Sequence, residues 1–272
     1  MKKKVILIAK NFQNNRLKLY ILLVVMALSF NPAMSFVLAG NIKDTSNPSR
    51  TITFAGYEWT VKTSAGLKSG TMGPGNNYFS DSRNNVWVDN NGWLHLKITQ
   101  KKGNWYCAEV ILTKSLGYKK YIFQVTGRVD QFQKNVVGGL FTYLDQTDNK
   151  EEIDIEFSKW NGISEENPAL FGIQPTDSIG NMKRFNLNLT GDNTTHVFDW
   201  KPGKVDFVSY HGHYSTPPDS TFIINSWSYS GKDVPFNPDS KVHINLWLFN
   251  RQVIDPAEEI DAEMVIKDFQ VL

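Results

Sequence analysis

The sequence predicts an all-β fold, two antiparallel sheets stacked as a jelly-roll sandwich. Segments of alternating apolar and polar residues recur about every 8–15 residues with turn residues between them. No stretch has the apolar stripe of an amphipathic helix. The region after residue 50 is long enough for one core, and with a single cysteine in the chain that core must hold without an internal disulfide.

Residues 1–39 carry six basic side chains (Lys2, Lys3, Lys4, Lys10, Arg16, Lys18) and no acid, followed by the apolar run Leu19 to Phe30. Asn31-Pro32 breaks that run short of the ~20 residues that span a bilayer. Small residues at Ala33 and Ser35, or Val37 and Ala39, offer cleavage points, so 1–39 reads as a secretory signal; the alternative is an uncleaved anchor. Export to a secreted or periplasmic location is expected, as a monomer with no stable membrane partner after cleavage. The formal charge of +2 belongs to this leader, and without it the chain is net acidic. No Lys/Arg stripe survives to engage a nucleic acid. Residues 40–50, rich in Asn, Ser and Thr with one Pro, read as a linker, and 51–272 as the jelly-roll domain.

Within that domain Trp93 to Ile98 alternates, with Leu94, Leu96 and Ile98 facing inward, and Asp89-Asn90-Asn91-Gly92 before it is a turn. Lys201-Pro202-Gly203-Lys204 suits a type II turn, and His211-Gly212 the tip of the next hairpin. Cys107, in the apolar run Trp105 to Leu112, reads as a small core hydrophobe. Phe198 and Trp200 lie in an alternating strand and read as packing residues, whereas Met72 to Ser80 and Asn104 to Tyr106 read as loops flanking a cleft.

The most informative stretch is Glu152-Ile153-Asp154-Ile155-Glu156-Phe157. On a strand, Ile153, Ile155 and Phe157 face a core while Glu152, Asp154 and Glu156 line the opposite face. Three acids within five residues repel one another, which costs stability unless the arrangement is used. A solvated acidic face or a cation site are the bland readings. The alternative is glycosidic bond cleavage, because retaining hydrolysis needs two carboxyl groups roughly 5–5.5 Å apart. Along a strand, Cα atoms four residues apart lie roughly 13 Å apart, and two glutamates leaning inward close much of that gap. A carboxylate between them can share a proton with a neighbour and hold one acid protonated while another is ionised.

This segment resembles the active-site strand of glycoside hydrolase family 16, whose signature is E-[ILV]-D-[IVF]-E. The resemblance extends to Gly117 to Val125, Gly138 to Tyr143, Thr195 to Gly203 and Ile244 to Trp247, in the family's order, and spans about Tyr57 to Leu272. It implies a concanavalin A-like jelly roll with a concave, cleft-forming face and an endo-acting glycosidase cleaving a β-linked polysaccharide of the β-glucan type. By resemblance Glu152 is the nucleophile, Asp154 the assisting carboxylate and Glu156 the acid/base. Trp247, Asn245, Glu109 and Gln174 match positions expected to bind substrate. The uninterrupted E-I-D-I-E form is similar to the lichenase and xyloglucan-active branches. The chain departs from lichenases at Asn149-Lys150-Glu151, where a Trp-Asp usually precedes the nucleophile, and at Ile111, which replaces an Arg. Glu151 falls on the apolar side of the strand by parity and reads as its start.

No phosphate loop, nucleophile elbow or clustered Cys/His metal spacing appears. No cofactor is required, and a structural calcium has no motif to announce it. The expected partner is a polysaccharide; the alternative functions are a lectin-like carbohydrate-binding protein and a transglycosylase on the same fold.

Overall fold

The computed structural model describes residues 49–144, 151–249 and 262–272. The expected leader, and the linker up to residue 48, lie outside the described residues, and the described residues from 49 onward belong to one compact unit.

Seventeen strands run through the described residues: β1 (Thr51–Phe54), β2 (Tyr57–Val61), β3 (Tyr78–Phe79), β4 (Val86–Val88), β5 (Leu94–Lys97), β6 (Thr99–Lys101), β7 (Asn104–Leu112), β8 (Lys120–Thr126), β9 (Val136–Tyr143), β10 (Ile153–Phe157), β11 (Ala169–Ile173), β12 (Met182–Phe185), β13 (Asn193–Lys201), β14 (Lys204–His211), β15 (Ile223–Tyr229), β16 (Lys241–Leu248) and β17 (Glu263–Val271). They form two sheets. The first has the order β1-β2-β7-β16-β9-β10-β11-β12, with β3 and β6 also pairing β7; the second has the order β15-β14-β13-β8-β17-β5-β4. Apart from the short parallel pair β3–β7, every pairing is antiparallel. Connections that leap between distant strands, as from β15 to β16 in the other sheet, give the jelly-roll arrangement.

The core lies between the sheets and is aromatic-rich. Phe171 of β11 stacks 5.1 Å from Phe207 of β14, and Phe157 of β10 lies 4.7 Å from His196 of β13, so both contacts tie one sheet to the other. Trp59, Trp200, Phe123, Phe198 and Phe269 are fully buried, each contributing roughly 1.5–3 kcal/mol of transfer free energy. Phe198 and Trp200 are thus packing residues, as their alternation implied. Leu94, Leu96 and Ile98 face inward, and Asp89 Oδ1 accepts the amides of Asn91 and Trp93 to close the turn before them. Gly203 supplies the positive φ of 74° in the β13–β14 turn.

Two local expectations are corrected. Asn104–Tyr106 is not a loop: it opens β7 and pairs with β6, the two-residue tip Lys102-Gly103 having positive φ at both positions as a twisted hairpin demands. His211-Gly212 is not a hairpin tip: β14 runs through His211, and β15 begins only at Ile223. Asn193 O and Thr195 Oγ1 bind Gly212 instead, fixing the start of a long connection.

Candidate active site

Alternation along β10 does what the sequence implies. Ile153, Ile155 and Phe157 are fully buried in the core, and Glu152, Asp154 and Glu156 project from the other face of the first sheet. Strand pairing then decides what stands beside each acid. Residues in register with Glu156 form one row across six strands: Glu109 (β7), Asn245 (β16), Gly139 (β9), Glu156 (β10), Leu170 (β11) and Arg184 (β12). The row two residues away holds Ile111, His243, Phe141, Asp154, Gly172 and Met182. Glycines therefore flank the acid strand on both sides. A Cβ on Gly139 would lie 2.5 Å from Asn245 Oδ1, and one on Gly172 only 3.0 Å from Thr176 Cγ2, so a larger residue at either point would crowd the acids' surroundings.

The acids do not stand in open solvent. Asp154 is 2% exposed, and Glu152 and Glu156 are half-buried. Burial raises all three carboxyls, Asp154 to about 7 and the two glutamates well above the ordinary range. The Asp154 charge adds to the rise at both glutamates, and Glu156 and Glu109 add further at Glu152. Opposing this, Asp154 is steadied by its hydrogen bonds with Glu152 and Gln174, and the Arg184 guanidinium pulls Glu156 down. Each carboxyl shifts its neighbour, so the cluster titrates as a unit. Gln174 Nε2 donates to Asp154 Oδ2 at 3.2 Å, while its Oε1 accepts the Thr176 amide at 3.0 Å, which fixes the way the amide points.

The remaining candidates divide. Asn245 stands beside Glu156's row neighbour Gly139, is 3% exposed, and its Oδ1 has no hydrogen-bond partner among the described residues. Trp247, two residues along the same face, is only 8% exposed because Gly75 packs against its ring and Trp160 meets it at 6.2 Å. Glu109 is 1% exposed, and its carboxylate accepts from Lys62 Nζ and His243 Nδ1, each at 2.8 Å. Burial alone would raise it, but the Lys62 ammonium and the His243 hydrogen bond outweigh burial and hold it below the ordinary range.

Several residues that shape the site carried no sequence signal. Arg184, Gly139 and Gly172 arrive by register, and Trp160 arrives by a turn. Glu151, just before β10, is 3% exposed; its Oε2 accepts the amides of Phe236 and Asn237 at 3.0 and 3.1 Å, so it anchors the β15–β16 connection rather than beginning the strand. Cys107 is fully buried, and burial pushes its thiol up to about 12, which leaves it unreactive.

No protein-family model matches this sequence, and no curated protein matches it. Solved structures do. The chain superposes on a Bacillus licheniformis β-glucanase with a TM-score of 0.52 at 21% identity, covering 83% of this chain and 97% of that one. The fold is that of the family 16 β-glucanases. A Bacteroides ovatus glycoside hydrolase family 16 protein, solved in complex with a G4G4G3G product from mixed-linkage glucan, gives a TM-score of 0.54 at 14% identity over 79% of this chain and 94% of that one. An immunostimulatory antigen of Mycobacterium tuberculosis described as a pseudo β-1,3-glucanase gives 0.51 at 17% over 78% and 90%. On this glucanase fold the three acids of β10 face away from the core, recessed between two glycines.

Proposed function

We propose that this chain is a retaining glycoside hydrolase that cleaves a β-linked polysaccharide of the β-glucan type by double displacement. The observation that carries the reading is the triad of Glu152, Asp154 and Glu156: three carboxyls on one strand face, recessed together, with burial raising all three. A cluster built only for stability would not gather three recessed acids with so little compensating charge.

In the first step Glu152, as carboxylate, attacks the anomeric carbon. The glycosidic C–O bond breaks, and Glu156 gives its proton to the departing oxygen. Asp154, held by Gln174, stands beside Glu152, and its raised carboxyl can take up the proton that Glu152 must lose before it attacks. A glycosyl ester on Glu152 results. In the second step water attacks the same carbon, Glu156 takes the water's proton, and the ester C–O bond breaks, so the anomeric configuration is retained. Asn245 Oδ1, an unpartnered buried acceptor, is positioned to take a sugar hydroxyl.

The test is reducing-sugar release from a panel of β-glucans, combined with azide rescue. Azide added to Glu152→Gly should yield the glycosyl azide of inverted configuration, and to Glu156→Gly the retained one. Turnover that survives in both Glu152→Gln and Glu156→Gln would falsify the assignment. A second reading, sugar binding without turnover, is favoured only by the structural likeness to a protein described as a pseudo-glucanase; it expects saturable oligosaccharide binding and no new reducing ends from the native chain.

A further inference from the structure

β10 ends at Phe157, and the chain turns back over the sheet rather than leaving it. Trp160 and Asn161 both adopt the left-handed backbone, with φ of 47° and 55°, an uncommon conformation for a bulky side chain. The turn is held by Ser158 Oγ, which accepts the Trp160 amide at 2.9 Å, and by Lys134 O, which accepts that of Asn161 at 2.6 Å. This places the indole edge-on to Trp247 and Phe249, at 6.2 and 5.3 Å, on the same face as the acids. From the opposite side Arg184, in the row of Glu156, brings its guanidinium 5.7 Å from the indole centroid. Trp160 thus spans from β16 to β12, just past Glu156 on the side away from Glu152.

Two donors in this corner are buried without a hydrogen-bond partner among the described residues: Trp160 Nε1 and Arg184 Nη1. Unmet buried donors are costly, and two beside one aromatic surface ask for a ligand that presents acceptor oxygens and an apolar C–H face. A pyranose has both. Resting on the double-displacement reading, the position identifies which sugar it is: the group protonated by Glu156 leaves on Glu156's far side from the nucleophile, where Trp160 and Arg184 stand. A fixed anion on that sugar is disfavoured, because Arg184 is the charge partner of Glu156 whenever that carboxyl is ionised. We propose that Trp160 and Arg184 form the subsite for the leaving-group sugar, a neutral glucosyl unit whose ring lies against the indole and whose hydroxyl oxygens take the two free N–H groups.

The experiment compares the native chain with Trp160→Phe, Trp160→Asn, Arg184→Gln and Arg184→Lys on two substrates with the same glycone. One is a tetrasaccharide drawn from the cello-, laminari- and mixed-linkage series; the other is the matching trisaccharide with a chloronitrophenol leaving group, which needs neither the subsite nor an acid. Loss of each hydrogen bond should lower kcat/KM on the tetrasaccharide about tenfold, with the aryl substrate unchanged within about twofold for the two Trp160 variants, which leave the charge beside Glu156 in place. Asn tolerates the left-handed backbone at 160, so Trp160→Asn separates a lost contact from a misfolded turn. Arg184→Lys should keep the native pH profile while losing tetrasaccharide efficiency. Equal losses of the Trp160 variants on both substrates, or none on either, overturn the subsite. Calorimetric titration of Glu152→Gln with the same three tetrasaccharides, with and without each substitution, reads the contact without turnover. Binding weakened about tenfold by Trp160→Asn keeps the subsite even if the native chain proves not to hydrolyse; unchanged affinity, or no binding of any of the three, removes it.

Discussion

Glu109 and Glu156 occupy the same cross-strand row, with only Asn245 and Gly139 between them, yet their carboxyls are driven in opposite directions. Glu109 is the more deeply buried, at 1% exposure, and is nevertheless held below the ordinary range by Lys62 and His243. Glu156 faces a like charge on Asp154 and one guanidinium on the next strand but one, and it stays high. Burial does not separate them; the sign of the neighbours does. A buried acid that is fully compensated behaves as a structural ion pair, whereas an uncompensated one stores a proton that it can give away.

The comparison breaks first on turnover. Replacing Glu156 by Gln should cut activity on an unactivated glucan by 10²–10⁴-fold, roughly the span of general acid catalysis. The same change at Glu109 should cost far less, since Gln keeps the hydrogen bonds there. Equal losses, measured as kcat on one soluble glucan, would mean that Glu109 works on the reacting sugar and that the contrast is false. The next effect is on stability. Lys62→Met leaves a buried carboxylate with only His243, and chemical denaturation should show a loss of about 3 kcal/mol, the range for breaking one side of a buried pair. Adding Glu109→Gln to Lys62→Met should recover most of it, because the uncompensated charge is gone. No recovery would locate the cost in the Lys62 ammonium's contact with the Phe79 ring, whose centroid lies 4.6 Å from Nζ.

What could be read from the chain follows the range of the interactions. The β10 acids were legible because a period of two is a local property: six residues suffice to say which side chains share a face. The sandwich was legible for the same reason, repeated along the chain. Arg184 was not, because it reaches Glu156 through the pairing of β10 with β11 and of β11 with β12, and no local pattern encodes that register. The pairing of Glu109 with Lys62 and His243 was not legible because those partners lie 47 and 134 residues away in sequence. The cover over Trp247 was not legible because the segment around Gly75 that packs on it is remote in the chain. Trp160 was missed for a different reason: a left-handed tryptophan is not what any turn propensity proposes.

A third measurement sharpens the contrast within the triad itself. Because burial raises Asp154 to about 7 in the fold against an ordinary value near 3.8, the native state holds more protons than the unfolded chain between those pH values. Stability therefore falls as pH rises through that window, and the cost is fully present above pH 7. Asp154→Asn removes the charge and keeps an oxygen for Gln174. The variant should match the native chain near pH 4 and exceed it by on the order of 2 kcal/mol at pH 7 and above, while losing turnover. A stability gain that did not grow with pH would show that the native carboxylate carries no penalty.

The smallest effect comes from a polar cluster that resembles the triad in burial and in nothing else. His196 lies between the sheets, fully buried, with Nδ1 2.8 Å from Ser209 Oγ and Nε2 2.9 Å from Thr194 Oγ1. Both ring nitrogens are satisfied in the neutral form, and burial pushes the imidazole down to about 3. For a base with a depressed value, the unfolded chain takes up the proton first. Stability is therefore complete above the ordinary value of 6.5 and is lost as pH falls from there toward 3, by at most about 1.4 kcal/mol per pH unit. His196→Gln keeps two hydrogen-bonding atoms and cannot be protonated. Its unfolding free energy should start about 1 kcal/mol below that of the native chain at pH 7, for imperfect geometry, and the gap should close below pH 6 and reverse as pH drops toward 4. Its turnover should be unchanged, because every hydrogen bond of this cluster is spent inside the fold. Parallel pH curves for the two proteins would mean that the imidazole takes up its proton over the same pH range in the folded and unfolded chains, and the contrast between a satisfied core cluster and an unsatisfied reactive one would lose its simplest case.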